Sequence, residues 1–303
     1  MRRHAFLLLL SIICAAANGV DDPKPRAVLR APFLPGLPLA AVKVRVGNEE
    51  TIAVLDTGAE AHTVGRWLAR KLALRTSRSA QKTHDAAGRA QRVDLLEHPH
   101  LSVPGIGELI DRPAMVTDEP EPMEHLGVGC FLSPQALATD QLTVILDFPQ
   151  HELRLVSAGE IAAAFDGGSA RRFSSARLCR DPSARTGYLM FEVAVRINGE
   201  SALMILDVGA DGSQLSRTSA AGRILSALGG GSKGEAMGST GRYPTWRVPQ
   251  VQVELGDLKR SVEMTLGPAI GDPHCPADGL LGMDVLKGCR IALTPTQAFG
   301  VCE

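Results

Sequence analysis

The sequence predicts an all-β protein built as two copies of one unit, and three observations carry that prediction. Stretches in which apolar and polar residues alternate, such as Ala41-Val-Lys-Val-Arg-Val46, are punctuated by turn signals, here Gly47-Asn48; alternation with period two marks a half-buried strand. The chain also repeats itself at an offset of 151 residues. Val44-Arg45-Val46 lies on Val195-Arg196-Ile197, Glu49 on Glu200, Ile52 to Leu55 on Leu203 to Leu206, and Gly58-Ala59 on Gly209-Ala210. A repeat this complete outweighs any single motif. Finally, each copy ends a buried-type strand on a carboxylate followed by a glycine-bearing turn, Asp56-Thr57-Gly58-Ala59 and Asp207-Val208-Gly209-Ala210. Two such turns suggest two half-sites of one centre, brought together about a pseudo-two-fold axis.

In chain order, residues 1–19 read as a secretory signal. Arg2-Arg3 is the positive region, residues 5–13 are apolar, and Cys14-Ala-Ala-Ala17 supplies small residues suited to cleavage. The apolar part is well short of the roughly 20 residues a membrane span needs. The mature chain is therefore expected to be exported, periplasmic or secreted, with no integral membrane segment. Ile13 beside Cys14 disfavours a lipid anchor. Residues 20–38, with Pro23, Pro25, Pro32, Pro35 and Pro38, read as an extended leader. The first lobe is expected over 39–157, with a hairpin delivering Asp56, a helix over 66–74 and a small-residue turn at Ala86-Ala87-Gly88. The apolar run Gly127-Val-Gly-Cys-Phe131 and a closing hairpin over 143–156 complete it. Residues 158–185, rich in Gly, Ser, Ala and Arg, read as the connection. The second lobe, 186–303, repeats the order: Ser239-Thr240-Gly241-Arg242 answers Ala86-Ala87-Gly88-Arg89, and Asp278-Gly-Leu-Leu-Gly-Met-Asp-Val-Leu286 answers the run at Gly129.

Composition narrows the function. The chain of 303 residues carries 32 basic and 33 acidic side chains, which removes the electrostatic case for nucleic acid as a partner. With aromatics at 4 %, the core must be mostly aliphatic. Gly229-Gly-Gly-Ser-Lys-Gly234 fits a phosphate-loop pattern only formally, because it follows a helix-like run rather than a strand. His98 and His100 have no further ligands at metal spacing, so neither a metal nor a cofactor is expected. His62 reads as a surface histidine, Asp211 as a solvated turn carboxylate, and Asp147 and Asp284 as structural hydrogen-bonders. Loss of Cys14 with the signal leaves five cysteines, an odd number, so one thiol stays unpaired within the chain. Cys289 and Cys302 would face each other if residues 290–301 form a hairpin; unlinked thiols are the competing reading.

Two carboxylates close together cannot both ionise easily, so Asp56 and Asp207 would share one proton and could activate a water held between them. Gly58 and Gly209 would let the turns approach, and Thr57 could tie them together. The hairpins carrying Ala87-Gly88 and Thr240-Gly241 would close over an extended chain.

The motif Leu55-Asp56-Thr57-Gly58-Ala59, the glycine-bearing turn near residue 88 and the run Leu280-Leu-Gly-Met-Asp-Val-Leu286 resemble the retropepsin-like aspartic proteases. The resemblance covers about residues 39–156 and 186–302. It implies a bilobal acid-protease fold of two fused β-barrel units and a cleft for a peptide or protein substrate. It also implies metal-independent hydrolysis of peptide bonds by Asp56 and Asp207, and a monomer that mimics the dimer usual in the family. Ala59, Val208 and Ala210 would complete the turns. Val208, standing where Thr57 stands in the first copy, departs from the family pattern and favours the alternative of a peptide-binding protein that cuts poorly.

Overall fold

The computed structural model describes residues 26–96, 101–109, 114–119, 121–161, 165, 171–175, 177–179, 190–270 and 275–303. Strand β1 (Ala27–Arg30) leads into the hairpin β2 (Ala41–Val46) and β3 (Glu49–Leu55), followed by β4 (Thr63–Gly65) and helix α1 (Arg66–Lys71). Next come β5 (Ser77–His84), β6 (Ala90–Leu96), β7 (Leu101–Val103), β8 (Gly107–Glu108), β9 (Ala114–Thr117), helix α2 (Glu121–His125) and β10 (Val128–Leu132). A single helical turn at Pro134–Leu137 and the hairpin β11 (Leu142–Asp147) and β12 (Glu152–Ser157) end the first lobe.

The second lobe repeats the plan after β13 (Arg171–Ser174) and β14 (Arg177–Cys179). It contains β15 (Met190–Ile197), β16 (Glu200–Leu206), β17 (Gln214–Ser216), helix α3 (Ala220–Leu228), β18 (Ser232–Gly238), β19 (Gly241–Leu255), β20 (Leu258–Gly267), β21 (Gly279–Leu281) and helix α4 (Met283–Leu286). The hairpin β22 (Cys289–Leu293) and β23 (Ala298–Cys302) closes the chain.

The strands form three sheets. In the second lobe eight strands run in the order β14-β15-β16-β21-β17-β20-β19-β18, and a further β15–β19 pairing closes the sheet into a barrel. Read from the other edge, the first lobe has the matching order β5-β6-β9-β4-β10-β3-β2, and then β7-β8 where the second lobe has β14. Its β7 pairs with β2 as β19 pairs with β15, and residues 97–100, outside the described ones, separate β7 from β6. The third sheet is shared. Its order is β1-β12-β11-β22-β23-β13, and the closing hairpins of the two lobes meet where β11 pairs with β22, Val144 opposite Leu293 and Asp147 opposite Arg290.

Two stretches do more than expected. The second half of the leader is built into the fold, with β1 on β12 and Ala31 and Leu34 buried. The connection supplies β13 to the other edge of the shared sheet, and Cys179 of β14 is bonded to Cys275. In both cases the shared sheet or its neighbour offers an open edge whose backbone groups need partners, and a passing extended segment satisfies them. Cys289 and Cys302 lie opposite each other on β22 and β23 and form a second disulfide, while Cys130 is free and buried. One apolar cluster runs through both lobes, including Val44, Leu55 and Leu132 of the first and Phe191, Leu206 and Leu281 of the second. Among the described residues no helix is long and apolar enough to cross a membrane.

Asp147 is the polar tie in the shared sheet. Its side chain is wholly buried and its Oδ2 accepts from Arg154 of the first lobe at 2.9 Å and from Arg290 of the second at 2.8 Å. Removing a buried member of such a cluster leaves its partners uncompensated. Both arginines reach solvent in part, which moderates the cost. Asp147→Ala should therefore lower unfolding free energy by about 2–3 kcal/mol in urea titration.

A second, half-buried carboxyl has no cationic partner among the described residues. Glu119 follows β9 and packs against α1, where the indole N–H of Trp67 donates to it at 3.3 Å. Burial pushes it up to about 8; the Trp67 hydrogen bond opposes this, and the nearby charge of Glu124 adds to it. The folded state thus holds this proton more tightly than the unfolded chain does. Its stabilising effect is complete below the unfolded value near 4.5 and is lost as pH rises through about 8. Glu119→Gln should leave the melting temperature unchanged near pH 4 and raise it progressively toward pH 8.

Candidate active site

Asp56 and Asp207 end β3 and β16, and each is fixed by the parallel strand beside it. The Asp56 amide donates to the Leu132 carbonyl at 2.9 Å, and the Asp207 amide to the Leu281 carbonyl at 3.0 Å. Beyond each aspartate the chain turns back on the carboxylate: the Ala59 amide donates to Asp56 Oδ1 at 2.9 Å and the Gly209 amide to Asp207 Oδ1 at 2.9 Å. The two turns face each other. A methyl group on Gly58 would lie 2.7 Å from Cγ of Asp207, and one on Gly209 would lie 2.6 Å from Oδ1 of Asp56. Each glycine is therefore the floor on which the opposing carboxyl rests, and the approach excludes any side chain.

Thr57 joins the turns. Its hydroxyl donates to the Leu206 carbonyl at 2.6 Å and accepts from the Val208 amide at 3.0 Å, both in the other lobe. Val208, fully buried, returns no such bond. The crossing is thus one-sided, as the sequence implies. Below the first turn, the Gln135 amide donates to the carbonyls of Thr57 at 3.1 Å and Ala59 at 2.9 Å. Below the second, Ser213 donates to Asp284 Oδ1 at 2.7 Å and accepts from the Gly282 amide at 3.0 Å.

Electrostatics separates the two carboxyls. Asp207 is 8 % exposed and is held well above the usual carboxylate range, by burial first and then by the charge of Asp56 beside it, with amides of Gly209 and Ala210 opposing. Asp56 is raised by burial, but the amides of Ala59 and Gly58 and a hydrogen bond from Asp207 act against this. Both carboxyls are thus held above the usual range, Asp207 the more strongly, and the pair retains a shared proton.

The register at Leu132 and Leu281 corrects one sequence expectation. Gly129 does not occupy the position of Gly282; Ser133 does, so Gln135 stands where Asp284 stands. A bulge between Val128 and Cys130 and a longer path from Asp56 to β10 account for the shift. The same register explains His62. It is 6 % exposed rather than on the surface, and its Nδ1 accepts from the Ser133 amide at 3.2 Å. That is the bond Ser213 makes to Gly282, and the 151-residue offset that relates Asp56 to Asp207 also places His62 on Ser213.

Ala87 and Gly88 form the turn between β5 and β6, and Thr240 and Gly241 the turn between β18 and β19; Gly88 and Gly241 take φ of 70° and 107°. The first turn reaches the second lobe, where the Ala86 carbonyl accepts from Gln214 at 2.8 Å. Among the described residues no group of three or more His, Cys, Asp or Glu stands at metal-holding distance; His98 and His100 lie outside them.

Comparison with known families decides the assignment: an aspartyl protease family model matches twice, over residues 42–130 and 193–285. The chain belongs to the aspartyl protease family. The two matches bear on the two repeats, and the family is the retropepsin-like one. A comparison with curated proteins finds none that matches.

Because Thr57 carries both hydrogen bonds of the aspartyl protease crossing, its loss leaves the Leu206 carbonyl and the Val208 amide buried without it. Thr57→Val should cost about 2–4 kcal/mol of unfolding free energy, from about 1–3 kcal/mol per orphaned group less relaxation. Thr57→Ser should restore most of this in the same denaturation experiment.

Proposed function

We propose that this protein is an aspartic endopeptidase whose site is completed within one chain. One observation supports the reading above all others: two carboxyls, both raised above the usual carboxylate range, face each other across the glycines of symmetry-related turns. In this reading a water sits between them. Asp56 removes a proton from the water as its oxygen attacks the peptide carbonyl carbon, while Asp207 gives its proton to the carbonyl oxygen. Collapse of the tetrahedral diol returns a proton to Asp207, and Asp56 passes the other to the leaving nitrogen. The amide bond breaks with no covalent intermediate, and the dyad ends as it began. The flaps at Ala87-Gly88 and Thr240-Gly241 would cover an extended peptide.

We place the protein outside the cytoplasm. Residues 1–19 have the composition of an export signal, and the two disulfides suit an oxidising compartment. A second reading, a peptide-binding protein that cuts poorly, is favoured by one feature, the missing hydroxyl at Val208.

The test is hydrolysis of a mixed peptide library by the mature chain, from about residue 20, between pH 3 and 7. Asp56→Asn and Asp207→Asn should each reduce cleavage by at least roughly 10²–10⁴-fold. Activity should fall as pH rises through the loss of the shared proton, and a chelator should leave it unchanged. A folded chain that binds peptides and cuts none would establish the second reading.

A further inference from the structure

The two flap hairpins come from different lobes, yet their tips are joined by side chains. At the centre is Asp85, whose carboxyl is wholly buried although it sits at the tip of the β5–β6 hairpin. Its Oδ1 caps its own turn, accepting from the amides of Ala87 and Arg89 at 2.9 Å each. Its Oδ2 accepts from Arg89 Nε at 3.1 Å and from the hydroxyl of Thr240, on the tip of the opposite hairpin. Arg89 continues across, donating to the Gly241 carbonyl at 3.0 Å and lying over the ring of Tyr243, 5.8 Å from its centroid. Gln91 donates to Ser239 at 2.9 Å. A third leg anchors the assembly: Tyr243 donates to Gln214 Oε1 at 2.7 Å, and the Gln214 amide holds the Ala86 carbonyl.

We propose that these residues form a latch, and that the two flaps open and close as a single lid rather than as independent hairpins. The inference rests on the reading of the inter-lobe cleft as the substrate site, and it assigns Asp85, Arg89, Thr240 and Gln214 as positioning residues of that lid. Three features carry it. The hydrogen-bond partners of Asp85 come from both lobes, so neither hairpin can lift without breaking a bond to a buried charge. The tips interlock sterically as well, since a methyl group on Gly238 would meet Asp85 Oδ2 at 3.1 Å. The latch is also asymmetric: acceptor carboxylate and guanidinium both belong to the first lobe, and hydroxyls and a backbone carbonyl to the second. Duplicated hairpins have diverged into a lock and its catch.

The experiment is hydrogen exchange on the full mature chain without substrate, followed peptide by peptide. Thr240→Val removes the hydroxyl that crosses between lobes and leaves the cap within the first turn intact, so the chain keeps its fold. A hydrogen bond to a charged group contributes enough that its loss should speed exchange at least roughly tenfold, and it should do so in both residues 85–91 and 237–243. Thr240→Ser should return both segments to parent rates. Acceleration confined to 237–243, or none in either segment, would overturn the latch and show that the hairpins move separately. The readout does not depend on catalysis: a latched chain that cleaves no peptide would count against the protease reading and leave the lid intact.

Discussion

The structure depends on a close approach that no other residue pair would allow: each carboxyl lies on the bare backbone of the opposing turn. Gly58 and Gly209 are fixed by this constraint, because the space a side chain would need is occupied by Asp207 and Asp56. So is the parallel pairing of β3 with β10 and of β16 with β21, which sets the aspartate amides at the same height in both lobes. The approach also produces the chemistry. Two acids in water ionise independently, whereas two acids pressed together in a shared, poorly hydrated space retain a proton. Packing thus leaves the pair with the shared proton that the proposed hydrolysis would use.

Burying two acids side by side costs free energy, and the rest of the molecule supplies it. The apolar cluster continuous through both lobes and the shared six-stranded sheet resist separation of the halves. Asp147, between Arg154 and Arg290, is satisfied only when the two closing hairpins are in register. The contrast with Glu119 is instructive. Asp147 is buried and meets two guanidinium groups, whereas Glu119 is half-buried and meets one indole N–H and a neighbouring negative charge. Asp147 is thus compensated by its partners, whereas Glu119 is left with burial as the largest influence on its carboxyl.

Much of this was legible in the sequence because duplication doubles every signal. The hairpins into Asp56 and Asp207, the glycines, the flap turns and the closing hairpin with Cys289 and Cys302 each appear twice or lie on a clear alternation. What was missed had no local signature. The Cys179–Cys275 bond joins residues 96 apart through a segment that reads as linker. The leader gains β1 only because the shared sheet leaves an edge open to it. The register of the second motif was hidden by a bulge, and similarity of composition drew Gly129 onto Gly282. His62 was the most avoidable miss, since the offset that related the two aspartates also related it to Ser213.

The two copies have not remained equal, and several of their differences fall around the site. Thr57 stands where the second copy has Val208, His62 where it has Ser213, Gln135 where it has Asp284, and Asp85 of the first flap where it has Gly238. In a dimer of identical subunits each change would alter both half-sites at once, and a hydroxyl lost from one turn would be lost from both. Fusion into one chain removes that coupling. Thr57 can then hold both turns alone, because its single hydroxyl both donates to the Leu206 carbonyl and accepts from the Val208 amide. Val208 is free to become apolar and pack in the core. The asymmetry reaches the acids themselves: Asp207 is the more deeply buried, and its carboxyl is raised further than that of Asp56. A symmetric pair has to break its symmetry at each turnover to distinguish donor from base. Here the fold already gives the two acids different surroundings.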